Sequence, residues 1–299
     1  MLQHQFLRYP IWRQLGDLDA VAPNHISRFP LIIINLAKID NHSSLGFLLR
    51  VPLRLVPKNA TMRVLQGPMR GAKWVAGSST HGCWLGTYEK QKQMFFAEHL
   101  RAGQVCWDVG ANVGFYTLMA SLLVGPAGHV VAVEPLPENL EFLRRHLRLN
   151  DVDNVTVIEG AVCEFDGAIG FEPHNSPSMG KVTTHGSRRV AAVTLDTLVF
   201  EKMLPKPDLI KIDVEGAEAA VFEGGLRVFE EVCPIVVLAT HGKVIHKKCL
   251  DWLDRHGYQV RGMGGAPIYE TDELIAEPRG RVVKSPSAKS QEGLIADEK

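Results

Sequence analysis

The chain has 299 residues, 45% hydrophobic and 22% charged, a composition that can bury a large core and excludes the disordered and fibrous classes. Lysine plus arginine and aspartate plus glutamate are equal at 33 each, so no net field recruits nucleic acid, and pairs such as Arg144-Arg145 and Lys247-Lys248 read as solvated faces. The five cysteines are dispersed and form no CxxC pair, which fits buried thiols in a reducing compartment.

The N-terminal stretch lacks the basic start, long apolar core and small-residue cleavage site of a signal peptide, so a cytoplasmic location is expected. Leu31 to Ile39 is the longest aliphatic run, but Asn35 and Lys38 cut it far short of the roughly 20 apolar residues of a membrane span. It reads as a helix packed on the following domain, with attachment to a membrane surface as the other use. Thr61 to Val75, alternating around Gly67-Pro68 and Gly71, predicts a β-hairpin, and Tyr88 to His99 predicts a helix. Residues 1–100 are therefore expected to form an extension covering the site of a domain at 101–278, with a disordered tail at 279–299.

From about residue 103 short apolar runs alternate with helical patterns, the signature of an α/β fold with a mostly parallel, Rossmann-like sheet and helices on both faces. Gln104–Val109 is the first strand, feeding a helix from Val113 to Val124 that is apolar nearly all round. His129–Glu134 is the second, followed by Pro137 at a helix start and by Leu140, Leu143 and Leu147 on one helical face. After a third strand, Asn154–Glu159, the segment Asp166–Ser187 reads as a loop or hairpin excursion suited to substrate contacts. A fourth strand at Asp208–Val214, a helix from Ala217, a fifth strand at Pro234–Thr240 and a helix at His246–His256 follow. Gly257–Arg261 begins a last β segment, expected to pair with Ala266–Tyr269.

The strongest motif is Asp108-Val-Gly110-Ala-Asn112-Val-Gly114 between the first strand and its helix. Glycine lets the backbone turn sharply and approach a ligand, and a helix N-terminus offers N–H groups to an anion. A dinucleotide fingerprint places its second glycine where Asn112 stands. That substitution, with Asp108 just before Gly110, argues for a ligand carrying both an ammonium and a carboxylate, such as the methionine part of S-adenosyl-L-methionine (SAM). Asp108 is then expected at the amino group and the helix end at the carboxylate. Glu134, closing the second strand, is placed for ribose hydroxyls, and Gly160-Ala161 for a flat adenine.

Lys211-Ile-Asp213-Val-Glu215-Gly216-Ala-Glu218 runs off the fourth strand, where alternation puts Lys211, Asp213 and Glu215 on one side. Buried charges need partners. A structural reading pairs Lys211 with a carboxylate and makes Glu215 a helix cap; a functional one makes these groups part of a site.

These segments, with Cys106-Trp-Asp-Val-Gly-Ala-Asn-Val-Gly-Phe-Tyr-Thr, Val133-Glu-Pro, Glu138-Asn139-Leu140 and Val193-Thr-Leu-Asp196, resemble the FkbM family of SAM-dependent methyltransferases over roughly residues 62–260. The resemblance implies a seven-stranded class I fold with a reversed final hairpin, and O-methylation of sugars or natural products. Where similar proteins often carry Glu-Ile-His after the fifth strand, this chain has Ala239-Thr240-His241, keeping the histidine and losing the acid.

A hydroxyl acceptor benefits from a base within hydrogen-bond reach, and His241 is the first candidate, with Asp213 and Glu215 sharing or orienting. His81 and the region of Glu89 are candidates for a lid. No metal site is expected: His241, His246 and Cys249 lack a fourth ligand for zinc, although Asp213, Glu215 and His241 have the donors for magnesium. A small-molecule or glycan acceptor is the expected partner. The competing readings are a nicotinamide-dependent oxidoreductase, disfavoured by the loop spacing, and a non-catalytic SAM-fold protein at a membrane surface.

Overall fold

The structure, a computed structural model, describes residues 51–173, 180–183 and 188–280. Leu31–Ile39 and the tail beyond residue 280 lie outside these residues. Among the described residues no helix is long and apolar enough to cross a membrane.

After a helical turn at 51–54, the described residues form an antiparallel ribbon, β1 (Thr61–Arg63) and β2 (Lys73–Val75), then α1 (His81–Leu85) and α2 (Lys90–His99). Next come β3 (Val105–Val109), α3 (Phe115–Val124), β4 (His129–Glu134), α4 (Pro137–Leu149) and β5 (Val155–Glu159). A side sheet follows, built from β6 (Ala161–Val162), β7 (Gly167–Pro173), β8 (Gly180–Thr183) and β9 (Arg188–Val193) in the order β6-β9-β7-β8. The chain returns through β10 (Leu209–Ile212), α5 (Glu218–Glu223), β11 (Ile235–Ala239), α6 (Lys243–Arg255), β12 (Tyr258–Gly262) and β13 (Glu273–Pro278).

The main sheet is seven-stranded in the order β12-β13-β11-β10-β3-β4-β5, parallel throughout except that β13 runs antiparallel to both its neighbours. Strands β3, β4, β10 and β11 are almost wholly buried, as parallel strands covered on both faces must be. The expected pairing of the last segment is corrected. Ala266–Tyr269 forms no strand, since Gly264 and Gly265 turn the chain and Pro267 follows; Tyr269 is exposed. Leu274, Ile275 and Ala276, apolar on both faces, instead carry β13 into the sheet between β11 and β12.

The two larger of three hydrophobic clusters among the described residues separate the layers. One joins Trp74, Phe96 and Met69 of the N-terminal ribbon and helices to Tyr116, Leu118 and Met119 of α3, which explains why α3 is apolar nearly all round. The other packs Phe222, Phe229, Trp252 and Tyr258 beneath the opposite face. The N-terminal cover is pinned by His146 of α4, which accepts from Val75 N (3.1 Å) at Nε2, so its Nδ1 donates to Val113 O (2.8 Å), while Trp74 stacks on its ring at 3.6 Å. Strand order reverses between β3 and β10, opening a crevice at their carboxyl ends, where ligands of such sheets bind.

Candidate active site

A cavity of about 610 Å³ occupies that crevice, a size suited to a ligand of nucleoside scale. One wall is the loop between β3 and α3. Gly110 has φ 78, and a Cβ there would lie 1.9 Å from Asp213 O, so only glycine lets these two loops meet. Asn112 also takes a left-handed conformation (φ 50), which asparagine tolerates, and its Oδ1 accepts from Val113 N at 2.7 Å. The helix begins at Phe115, later than expected, with Gly114 as N-cap and no capping side chain. Gly114 lies outside the cavity lining and serves packing, since a Cβ would stand 2.9 Å from Leu143 Cγ.

Glu134 lines the cavity and is nearly buried, its Oε2 accepting from Asn112 N (2.8 Å) and its Oε1 from Leu136 N (2.9 Å) and Asn139 Nδ2 (3.0 Å). Burial raises its pKa, against the lowering effect of those donors. Two oxygens with about four lone-pair sites and three donors leave room for a further donor from a ligand. Gly160 and Ala161, just after β5, line the cavity.

Asp108 departs from its expected place. It is fully buried outside the cavity lining, with Oδ2 accepting from Thr117 Oγ1 (2.6 Å) and Oδ1 from Lys211 Nζ (3.0 Å). Lys211 Nζ also donates to Gly110 O at 2.9 Å. Burial opposes the ammonium, but Asp108 and Asp213 outweigh it and hold its pKa above the ordinary range. The group that reaches the cavity is therefore Lys211, with Asp213 beside it at 3.8 Å.

The strand ends at Ile212, and Glu215 (φ 55) and Gly216 (φ 101) reverse the chain with two successive left-handed residues. Simple alternation therefore stops, yet Asp213 and Glu215 still line the cavity, joined by His241 from the end of β11. His241 Nε2 lies 3.4 Å from Glu215 Oε2 and 3.8 Å from Asp213 Oδ1, and Nδ1 lies 2.7 Å from Glu218 Oε1. The Glu218 hydrogen bond, against burial and with the help of Glu215, raises the His241 pKa to about 9. Burial pushes the Asp213 carboxyl up, but Lys211 and Lys92 pull it below the usual range. Donor atoms of Asp213, Glu215 and His241 lie within 4.8 Å of one another, close enough to share a divalent ion. The two residues weighed and set aside for zinc are otherwise engaged: His246 bonds Thr240 Oγ1 and Ile268 O, and Cys249 is core.

The cover supplies a third wall that sequence reading missed in its detail. Tyr88 and Glu89 line the cavity; Glu89 Oε2 accepts from Tyr116 OH at 2.7 Å. Lys92, buried in α2, reaches Glu89 (2.9 Å) and Glu273 of β13 (2.7 Å), closing the cavity between the first and last parts of the domain. The pattern of α2 marks Lys92 as an ordinary helical lysine, and nothing local marks Glu273. Glu218 does close a quoted motif, so its position was legible though its role was not. His81 bonds Trp84 outside the lining, and the described part of Asp166–Ser187 contributes no lining residue. Asp196 caps a turn by accepting from Arg227 N and Val228 N.

Sheet order, reversed last hairpin and loop define a class: the Rossmann-like class I methyltransferases, whose cofactor is SAM. Residues 108–260, just over half of the chain, match the methyltransferase FkbM domain, and the chain belongs to the FkbM methyltransferase family. It is 32% identical over 144 residues to the hexuronic acid methyltransferase AglP of Haloferax volcanii, covering 47% of this chain and 57% of that protein. A protein-L-isoaspartate O-methyltransferase of Ignicoccus hospitalis is 34% identical over 105 residues, covering 35% of this chain and 47% of that one. The chain thus spans about half the length of these curated relatives. Among solved structures, an FkbM methyltransferase from Methylobacillus flagellatus KT aligns with a TM-score of 0.44 and 19% identity, over 64% of this chain and 51% of that one.

Proposed function

We propose that the protein transfers the methyl group of SAM to a hydroxyl oxygen on a sugar, glycolipid or natural product. His241 carries this reading: its Nε2 faces two carboxylates on the cavity wall, across the switch point from Glu134, so a proton acceptor stands on the side opposite the ribose-binding acid.

The cofactor, when bound, supplies a methyl group on a positively charged sulfur, ready for in-line displacement. The chain's own residues do the rest. Gly110 and Asn112 shape the wall against which the amino acid portion lies, and Lys211 fixes that wall from below through Gly110 O. Glu134 accepts from a sugar hydroxyl; Gly160 and Ala161 leave the sheet edge flat for a base. Tyr88 and Glu89 close the cavity from the cover and exclude water.

On the acceptor side, Asp213 and Glu215 accept hydrogen bonds from a polyol and orient one hydroxyl toward His241 Nε2, which takes its proton. With a pKa of about 9 the free imidazole is protonated at neutral pH. It yields that proton more readily once another positive charge shares the cavity. The hexuronic acid methyltransferase AglP among the relatives supports a sugar acceptor.

The test supplies methyl-labelled SAM with hexoses, 6-deoxyhexoses and hexuronates and asks whether the label survives alkali. A methyl ether on a hydroxyl survives; an ester does not. We expect alkali-stable label that falls at least about 100-fold in His241→Ala while S-adenosylhomocysteine binding is kept. Label found only in alkali-labile ester would remove the hydroxyl reading.

A further inference from the structure

Glu218 sits on the first turn of α5 with none of its surface exposed. A carboxylate is costly to bury and persists where its partners fix it. Its Oε1 accepts from Gly216 N at 2.9 Å and lies 2.7 Å from His241 Nδ1; its Oε2 is buried and has no hydrogen-bond partner among the described residues. Thr240, just before His241, is held by Asp272 O and His246, so the strand end that carries the imidazole is fixed as well.

Oε1 already accepts from Gly216 N, so it is the acceptor in this contact too and the hydrogen belongs to Nδ1. The neutral ring is then the Nδ1–H tautomer, and its lone pair is on Nε2, the nitrogen that faces Asp213 and Glu215. The reversal at Glu215 and Gly216 leads into α5, whose first residue, Glu218, meets the ring at Nδ1.

We propose that Glu218 is the positioning residue of methyl transfer, fixing the tautomer and orientation of His241 so that Nε2 receives the acceptor's proton. This rests on the hydroxyl-transfer reading above. In the step, the hydroxyl proton moves to Nε2, the oxygen pair freed by it forms the new carbon–oxygen bond, and the sulfur–carbon pair leaves with sulfur. The imidazolium that results is stabilised by Glu218, as other base histidines are by a buried acid. All the carboxylates around the ring act in one direction: Asp213 and Glu215 from the loop after β10, and Glu218 from α5.

The experiment follows the ring nitrogens of His241 by ¹⁵N NMR in the full chain, free and with S-adenosylhomocysteine, assigned with His241→Gln. In wild type the deprotonated ring is expected to carry its hydrogen on Nδ1, with the pKa near 9. In Glu218→Gln the amide oxygen stays on Gly216 N and Nδ1, and the uncharged amide lets the pKa fall toward 6.5. In the labelling assay, Glu218→Gln loses roughly 100-fold or more in kcat, KM for SAM holds, and Glu218→Asp restores part of the rate. A wild-type ring with its hydrogen on Nε2 overturns the proposal even if neither variant folds. So does a folded Glu218→Gln with wild-type pKa and rate. Failure of S-adenosylhomocysteine to bind strikes the functional reading instead, and the tautomer in the free protein is read independently of it.

Discussion

Lys211 and Asp108 are direct register partners on adjacent central strands, and their side chains meet at 3.0 Å beneath the loop that forms the cavity wall. One ammonium thus ties β10, β3 and the carbonyl of Gly110 together. Removing one partner leaves a buried charge uncompensated, a loss of about 3–5 kcal/mol. Lys211→Met is expected to lower stability by that amount in urea denaturation and to weaken S-adenosylhomocysteine binding. Asp108→Leu combined with Lys211→Met is expected to cost less than the sum of the single changes, because no orphaned charge remains. Additive losses would argue against the pairing.

Gly110 and Gly71 both have left-handed backbones, but a Cβ at Gly71 meets nothing within 4 Å whereas at Gly110 it strikes Asp213 O. Gly71→Ala should therefore cost only the conformational penalty, about 1–2 kcal/mol. Gly110→Ala should cost more and abolish S-adenosylhomocysteine binding. Thermal melts with and without ligand separate the two, and equal behaviour would contradict the close approach described here.

His146 is buried and neutral, with its pKa lowered to about 4 by burial. Because the folded pKa lies below the unfolded value of about 6.5, the unfolded chain binds the extra proton between those values. Stability is whole above pH 6.5 and falls as the pH drops toward 4, by at most about 3 kcal/mol from this group. His146→Gln should flatten that slope in denaturation midpoints measured across the window. An unchanged slope would place the acid sensitivity elsewhere.

Lys92 joins the cover to the last strand through Glu89 and Glu273. Lys92→Met leaves two carboxylates facing each other without their cation, and burial already raises the pKa of Glu273. The variant is expected to lose about 1–3 kcal/mol at pH 7 and to regain part of it as the pH is lowered and Glu273 takes a proton. A uniform loss at every pH would show that packing alone is involved.

The sheet was legible because each parallel strand is a short apolar run with its own punctuation: Gly125-Pro126 after α3, Pro135 after β4, Pro205 and Pro207 before β10. The loop was legible because Gly110, Asn112 and Gly114 are neighbours in sequence as well as in space. What sequence could not show depends on long-range register. Asp108 pointed toward the ligand on spacing alone, and only its pairing across to Lys211 reveals that it supports the wall. Lys92 and Glu273 stand 181 positions apart, and no local pattern joins them. The position of β13 was missed because Leu274–Ala276 is too short a run to announce a strand.

The most direct test of the account is calorimetric titration of the whole chain with SAM, S-adenosylhomocysteine and NADH, repeated in Glu134→Ala. Both sulfur nucleosides are expected to bind wild type with micromolar Kd, about −8 kcal/mol, to weaken in Glu134→Ala, and NADH to give no heat of binding. Tight NADH binding that Glu134→Ala abolishes, with no response to either sulfur nucleoside, would contradict it.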